Sequence, residues 1–494
     1  MELDQVLLLG SVVLLASILA TRLGARFGLP SLLLFLGLGV LVGQFAWKLQ
    51  DADLAHSLGF AALVLILAEG GFTTKWQEIK GALPMALLLA TVGVGVSVAL
   101  VAAFAHFILN FDVPSAILLG AITSPTDAAA VFAVLRKVPL PPRLRAVIEA
   151  ESGFNDAPIV LLVATATALA LGRSSDDGPV VMGLLIVLEL VGGAVLGAAM
   201  GWLGTRLLRG ISLPASGLYV LAAMGWTVLA YGLGTGLHLS GFAAVYVVAV
   251  FLGNGQLPFR HATRAFAEGV GWIAQIGLFV MLGMLTDITS VTPWEILAGA
   301  MVGAFLTFVA RPLSVILCVS WFKVPWREQA FISWAGLRGA VPVIMATVPL
   351  AAAVPTAHAI FNLVFAFVVV FTVLQAPTLP WVARALRVSS GEDATDVDIE
   401  FAPLDTIKAD MMQVHVPEAS LLHGVSVREL RLPKNSVVSL IVRQDETFTP
   451  KPEDLIKIGD DLLIVTHAAD RRKVEQRFIS ISRGGRLARW SRDD

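Results

Sequence analysis

Residues 149–160 read EAESGFNDAPIV and sit inside an apolar run from Arg145 to Leu171. Glu151 and Asn155 stand four residues apart, as do Ser152 and Asp156. On a helix that spacing puts carboxylates, a hydroxyl and an amide on one face. These are hard oxygen ligands, suited to a partly dehydrated Na⁺ or K⁺, and with no His or Cys beside them zinc or copper is a poor match. A charge at membrane depth costs at least about 2.5–3.5 kcal/mol on insertion scales, so each carboxylate there needs a partner or a task. A proton and a monovalent cation competing for one such carboxylate is the simplest chemistry this set could perform.

Two further segments fit the same chemistry. In AITSPTDAAAV, residues 121–131, Pro125 removes a backbone donor and disfavours helix at Ser124. Carbonyls freed at membrane depth are tolerated where they line a cavity, and Thr126 and Asp127 follow the break directly. A broken helix bearing an acid is a common way to build a cation site; the alternative is a tolerated kink with a paired Asp. In SWAGLRGAVPV, residues 333–343, Gly336 and Gly339 bracket Arg338 and Pro342 follows. This predicts a second break, carrying a positive charge, with Glu151 as the preferred partner of Arg338. Among the other ionisable residues in apolar runs, Glu69, Glu189 and Arg311 read as structural. Glu149 stays open between structural and functional.

Such groups need a membrane around them, and the composition supplies one. The 494 residues are 56% hydrophobic and 15% charged, with mean hydropathy +0.80. Of the 72 charged residues, 34 fall after residue 390, so a membrane part at 1–390 precedes a short charged tail. Thirteen apolar runs, from 4–21 to 356–385, are each about long enough to span. Lys and Arg collect after the odd-numbered runs, from Arg22 and Arg26 to Arg384 and Arg387, against only Lys48 and Arg173 on the other side. The positive-inside rule then puts the N-terminus outside and the tail in the cytoplasm. Acids open the chain where a signal peptide has Lys or Arg, so the first run reads as a retained span. Cys318 is the one cysteine, which excludes an intramolecular disulfide. A net charge of −2 argues against a general nucleic-acid binder. The two breaks fall in runs five and twelve. An offset of seven makes them cross in opposite directions, as an inverted-topology repeat requires. The expected fold is an all-α polytopic membrane protein with about 13 transmembrane helices, inverted repeats and two crossed broken helices, followed by a small α+β cytosolic domain.

SPTDAAAVF, EAESGFNDAPIV, SGFAAVYVVAVFLGN and GLRGAVPV, in that order, resemble the NhaP-like monovalent cation:proton antiporters. AFAEGVGWIAQIGLFVMLGML (265–285) is similar to their potassium/proton branch. The resemblance implies a homodimer in the plasma membrane (the inner membrane of a prokaryote), with a scaffold and a moving core that carries the crossed helices. It implies that Asp156 is the essential carboxylate and Asn155 its partner. Thr126, Asp127 and Ser152 complete the ion site, with Glu151 and Arg338 in support. Asn155 is neutral, so one carboxylate performs the exchange and transport is expected to be electroneutral. The substrates are H⁺ and K⁺ or Na⁺, with K⁺ favoured; no cofactor is expected.

After a linker at 391–404, residues 405–480 alternate between strand and helix patterns. MMQVHVP, SVVSLIVR and DLLIVTH read as strands, RQDETFTPKPED as a hairpin, and SLLHGVSVREL and AADRRKVEQRF as helices. The order resembles the TrkA-C domain, the C-terminal half of regulators of potassium conductance. That resemblance implies a regulatory, dimerising module with a small-molecule ligand of undefined identity; a docking domain without ligand is the alternative. A basic tail at 481–494 closes the chain. A ligand-gated potassium channel would need a filter such as TVGYG. The nearest match, ATVGVGVSV at 90–98, lies inside a span. No hydrolase elbow or nucleophile–base pair is present, so no enzyme is expected.

Overall fold

Apolar residues run all the way round most helices of the N-terminal unit, the pattern of segments with no aqueous side. The computed structural model describes residues 3–27, 31–45, 47, 51–127, 131, 138, 140–172, 179–255, 257–388, 398–404, 409–417, 420–443, 446–467 and 470–484. The chain divides into two units, Met1–Ser389 and Ser390–Asp494.

The first unit is helical. In chain order it comprises α1 (Leu3–Phe27), α2 (Ser31–Phe45), α3 (Ala52–Thr73), α4 (Leu83–Phe107), α5 (Val113–Thr123), α6 (Pro142–Phe154), α7 (Asp156–Ala170), α8 (Pro179–Gly210), α9 (Ser216–Gly236), α10 (Gly241–Asn254), α11 (Arg260–Leu285), α12 (Pro293–Phe322), α13 (Trp326–Trp334), α14 (Ala340–Ala351) and α15 (Ala357–Ala385). Among the described residues, eight helices are long and apolar enough to cross a membrane, taking α6 and α7 as one, and five apolar helices are shorter. Residues 128–130 and 132–137, the far half of the fifth apolar run with Arg136 and Lys137, lie outside the described residues, as do Lys48 and Arg173.

Helix starts are set by local chemistry. Asp51 accepts from the Leu54 amide, Asp112 from Ser115, and Thr292 forms a capping box with Glu295 ahead of Pro293. Small residues set the close packing. A Cβ at Gly193 or Gly197 of α8 would collide with the backbone of Ser240, the N-cap of α10, or of Ala244 within it. Packing without side chains between the backbones substitutes for a hydrophobic drive that lipid does not supply. α4 and α12 each contain a π turn, Leu89–Gly93 and Leu306–Ala310.

The second unit is a five-stranded antiparallel sheet with one helix. Its strands are β1 (Asp398–Leu404), β2 (Ala409–His415), β3 (Ser436–Arg443), β4 (Glu446–Phe448) and β5 (Asp461–His467), in the order β1-β2-β5-β3-β4. Met412, Val414, Ile441, Leu462 and Ile464 pack with Val474, Phe478 and Ile481 of α16 (Arg471–Gly484) to form its core. Buried Asp460 accepts from both Nε and Nη2 of Arg443 at 2.7 Å. That hydrogen bonding raises the Arg443 guanidinium above its ordinary range.

Three expectations for this unit need correction. The linker expected at 391–404 does not extend to its end: 398–404 form β1, because Ile399 and Phe401 alternate with acids and β2 offers a free edge. Residues 391–397 lie outside the described residues. SLLHGVSVREL is not a helix. Gly424 takes φ +80°, Ser426 bridges to Leu455, and a Ser426–Glu429 capping box starts only a short 3₁₀ turn, Val427–Leu430. The basic tail does not begin at 481, since α16 continues to Gly484; 485–494 lie outside the described residues.

Candidate functional site

Three interrupted helical segments meet in the first unit. α5 stops at Thr123, its last turn closed by Thr123 Oγ1 on the Leu119 carbonyl and Ser124 Oγ on that of Gly120, at 2.8 and 2.6 Å. Pro125 to Asp127 then run without helix. α13 stops at Trp334, and residues 336–339 run without helix before α14. The two interruptions touch: the Asp127 amide donates to the Leu337 carbonyl at 2.9 Å. The third is a kink. Asn155 separates α6 from α7, yet its amide still donates to the Glu151 carbonyl at 3.1 Å, and Ile159 to Asn155 at 3.3 Å.

Arg338, 3% exposed, lies where the first two interruptions meet. Its Nε donates to the Thr123 carbonyl at 3.2 Å and its Nη1 to that of Gly336 at 2.9 Å. Its own carbonyl accepts from Thr372 at 2.7 Å. The guanidinium therefore faces the negative end of α5, whose last carbonyls lack helical partners. Glu151, expected to pair with Arg338, does not. It accepts from Arg311 Nη1 and Nη2 at 2.6 and 2.8 Å, and both residues are buried. Arg311 follows directly on the π turn at Leu306–Ala310, which sets its direction around the helix axis. The extra residue in that turn rotates everything after it. Arg338, meanwhile, uses its donors on backbone carbonyls.

Thr126, Ser152 and Asn155 form one buried cluster. Asn155 Nδ2 donates to Thr126 Oγ1 at 2.7 Å, and Thr126 Oγ1 and Ser152 Oγ share a hydrogen bond of 3.0 Å. Asp156 follows as the first residue of α7, 3% exposed. Its Oδ1, like Asn155 Oδ1, has no hydrogen-bond partner among the described residues. Asp127 packs on Gly339, where a Cβ would run into its carboxylate. Gly339 caps the start of α14, and the positive end of that helix favours an acid there.

Asp127 and Asp156 line one cavity of ≈ 90 Å³, with Glu69, Glu268, Trp272 and Gln275 among its other walls. The cavity thus carries four acids and no base among its lining residues. Of the residues singled out from the sequence, Asp127 and Asp156 line this cavity, while Thr126, Ser152, Asn155 and Arg338 cluster beside them at the interruptions. Glu151 faces Arg311 instead. Half-buried Glu189 lies on α8, where its carbonyl accepts from the Ser240 amide.

Sequence reasoning missed Tyr246. Its ring meets Phe154 edge-on at 5.1 Å and its hydroxyl lies 3.3 Å from Thr74 Oγ1. A Cβ on Gly153 would come within 3.0 Å of that hydroxyl. One signal was present: Tyr246 is the one hydroxyl in the middle of α10. The chemistry available is that of hard oxygens around a carboxylate with an unfilled valence for a proton or a monovalent cation.

The family model "Sodium/hydrogen exchanger, transmembrane" matches residues 11–385, and the TrkA-C domain model matches 411–479. The K(+)/H(+) antiporter NhaP of Alkalimonas amylolytica is 33% identical over 472 residues, covering 93% of this chain and 80% of the relative. The K(+)/H(+) antiporter NhaP2 of Shewanella sp. (strain ANA-3) is 31% identical over 475 residues, covering 94% and 81%. The solved structure of the sodium proton antiporter MjNhaP1 from Methanocaldococcus jannaschii shares the fold, with TM-score 0.68 at 22% identity over 78% of this chain and 99% of that one.

Proposed function

The chain belongs to the sodium/hydrogen exchanger family, and we propose that it exchanges a monovalent cation, K⁺ before Na⁺, for H⁺ in the plasma membrane. The observation that carries this reading is Asp156: a buried carboxylate with one unpartnered oxygen, opening on a cavity shared with Asp127. Proton and cation compete for that charge. Thr126, Ser152, Asn155 and Asp127 supply the remaining oxygens, and Arg338 holds the crossing of the two breaks in place. Movement of the core only when Asp156 is neutralised couples the two fluxes, by alternating access of the elevator type.

Asn155 brings no charge, so one carboxylate serves one ion and the cycle is electroneutral. Thirteen crossings follow if the eight long apolar helices and the five shorter ones all span. The basic residues then put the N-terminus outside and the second unit in the cytoplasm. The same reading takes the transporter as a homodimer. It takes residues 405–480 as a regulatory module, whose ligand acts by its differential affinity for resting and active states. Deleting 405–494 then leaves exchange intact and alters its control.

Potassium is favoured because two relatives named as K(+)/H(+) antiporters cover more than nine tenths of the chain, second unit included. A Na⁺ or Li⁺ exchanger of the same fold is the second reading, favoured by the solved structure described as a sodium proton antiporter. The test is proton flux in proteoliposomes under opposed gradients of K⁺, Na⁺, Li⁺ and NH₄⁺. Exchange with K⁺ at a rate above that with Na⁺ is expected. Exchange with Na⁺ and Li⁺ alone selects the second reading, and cation flux without a counter-flux of protons overturns both.

A further inference from the structure

A second cavity, of ≈ 880 Å³, lies in the first unit on the other side of Tyr246 and Gly153, which line both cavities. Its volume is near the upper end of the roughly 300–1,000 Å³ usual for pockets that hold organic ligands. Its walls come from α3, α4, α6, α7, α8 and α10, with the turn around Trp76. Most of the lining is apolar. Among the lining residues there is no acid and there are two bases, Arg206 and Arg209.

Polarity is sorted along its length. Leu190, Ala157, Phe242 and Ala243 line one end, while Trp202, Arg206, Arg209, Trp76 and Asn254 line the other. Sixteen residues of α8 separate Leu190 from Arg206, which is about 24 Å of helix. That is deeper than one leaflet of the hydrocarbon core, about 15 Å. The basic end also has the chemistry of a membrane interface, where tryptophans gather. The Arg206 guanidinium sits 4.5 Å from the Trp202 ring centroid, and the Trp76 amide is fixed by Asn254 Oδ1 at 3.0 Å. Both arginines are exposed.

A slot with an apolar body longer than a leaflet is matched to an acyl chain. A mouth whose described lining residues include two guanidiniums and no acid is matched to a phosphate, which Arg binds through two parallel hydrogen bonds. We propose that this cavity is a binding site for one anionic phospholipid of the surrounding bilayer, with its phosphate at Arg206 and Arg209 and an acyl chain running toward Leu190 and Ala157. The bound chain then lies against the helix that carries Asp156, separated from the acidic cavity by the Tyr246 ring.

The experiment is native mass spectrometry of delipidated full-length protein in detergent, titrated with phosphatidylglycerol, phosphatidylcholine or glycerol phosphate. Wild type retains one phosphatidylglycerol per protomer, and retains phosphatidylcholine at least tenfold more weakly. Each arginine near anionic charge contributes about 1 kcal/mol, so Arg206→Gln with Arg209→Gln weakens phosphatidylglycerol retention roughly 30-fold. Ala194→Trp, which fills the slot and leaves both arginines in place, abolishes retention. A melting curve confirms that each variant is folded; if the arginine variant is not, Ala194→Trp and the lipid comparison decide. Equal retention of phosphatidylcholine, binding of glycerol phosphate as tight as that of the lipid, or phosphatidylglycerol retention untouched by Ala194→Trp each overturns the proposal.

Discussion

Two cavities share the residues Leu67, Gly153 and Tyr246 as a common wall, and little else about them agrees. Among the described lining residues, one of ≈ 90 Å³ has four acids and no base; the other, of ≈ 880 Å³, has two bases and no acid. The small one is a place where charge must be answered by something that enters and leaves. The large one is mostly apolar, with its charge confined to the mouth. The difference teaches that a span through lipid can be lined on its two sides by opposite chemistries, provided a wall of residues keeps them apart. Tyr246 is the largest of the three shared residues, with a ring toward Phe154 and a hydroxyl toward Thr74.

The sharpest way to break the comparison is to remove the charge from the small cavity. Asp156→Asn keeps the shape and one acceptor oxygen but replaces the other with a neutral NH₂ donor. Cation-dependent proton flux in proteoliposomes is expected to fall more than a hundredfold while the protein still melts cooperatively. Flux within a few-fold of wild type would move the exchange site elsewhere.

The next effect is on stability. Glu151→Gln and Arg311→Gln each leave a buried charge without its partner, at about 3–5 kcal/mol. The double variant should recover part of that loss, because the two contacts are one interaction. Additive losses in detergent melting would show that the 2.6 Å pair carries no coupling. Arg338→Gln should not be rescued by Glu151→Gln, since Arg338 serves backbone carbonyls.

Removing the partition tests the separation itself. Tyr246→Ala deletes a buried aromatic ring, for about 3 kcal/mol, and joins the two cavities. Its exchange should need several-fold more cation for half-maximal rate, whereas Tyr246→Phe, which keeps the ring, should stay within about twofold of wild type. A Phe variant as impaired as the Ala variant would assign the effect to the hydroxyl. The smallest expected effect lies at the basic mouth. Arg206→Lys keeps the charge but loses the planar fork and its stacking on Trp202. Phosphatidylglycerol retention should fall only about threefold by native mass spectrometry, and a loss as deep as that of the Gln pair would mean that geometry there outweighs charge.

Much of the ion cavity could be read from residue types. Pro125 and the Gly336–Pro342 stretch mark the two interruptions, and an acid in an apolar run is conspicuous, so Asp127 and Asp156 stood out. What they touch did not. Arg311 and Arg338 are both bases in apolar runs, and nothing in the residue order says which one reaches Glu151. It depends on the direction in which each arginine leaves its helix, and a five-residue segment such as LTFVA, a π turn just before Arg311, carries no composition that separates π from α geometry. The larger cavity was invisible for another reason. Its walls come from helices far apart in sequence, and a void has no residues of its own. In the second unit, alternation revealed β2, β3 and β5 because one face of each meets α16. The stretch 420–430 has helical-looking apolar spacing, but Gly424 at φ +80° and the Ser426–Leu455 bridge turn it into a loop.

The π turn at Leu306–Ala310 makes length itself a determinant of partnership. A π turn accommodates one residue more than the α-helix on either side. Were the turn to relax to α geometry with every residue kept, Arg311 would swing by about 100° around the axis, the rotation of one residue. The arginine would keep its charge, its depth and its neighbours in sequence, and would point at a different helix. In this chain a count of one residue, as well as each residue's identity, sets the direction in which the arginine points.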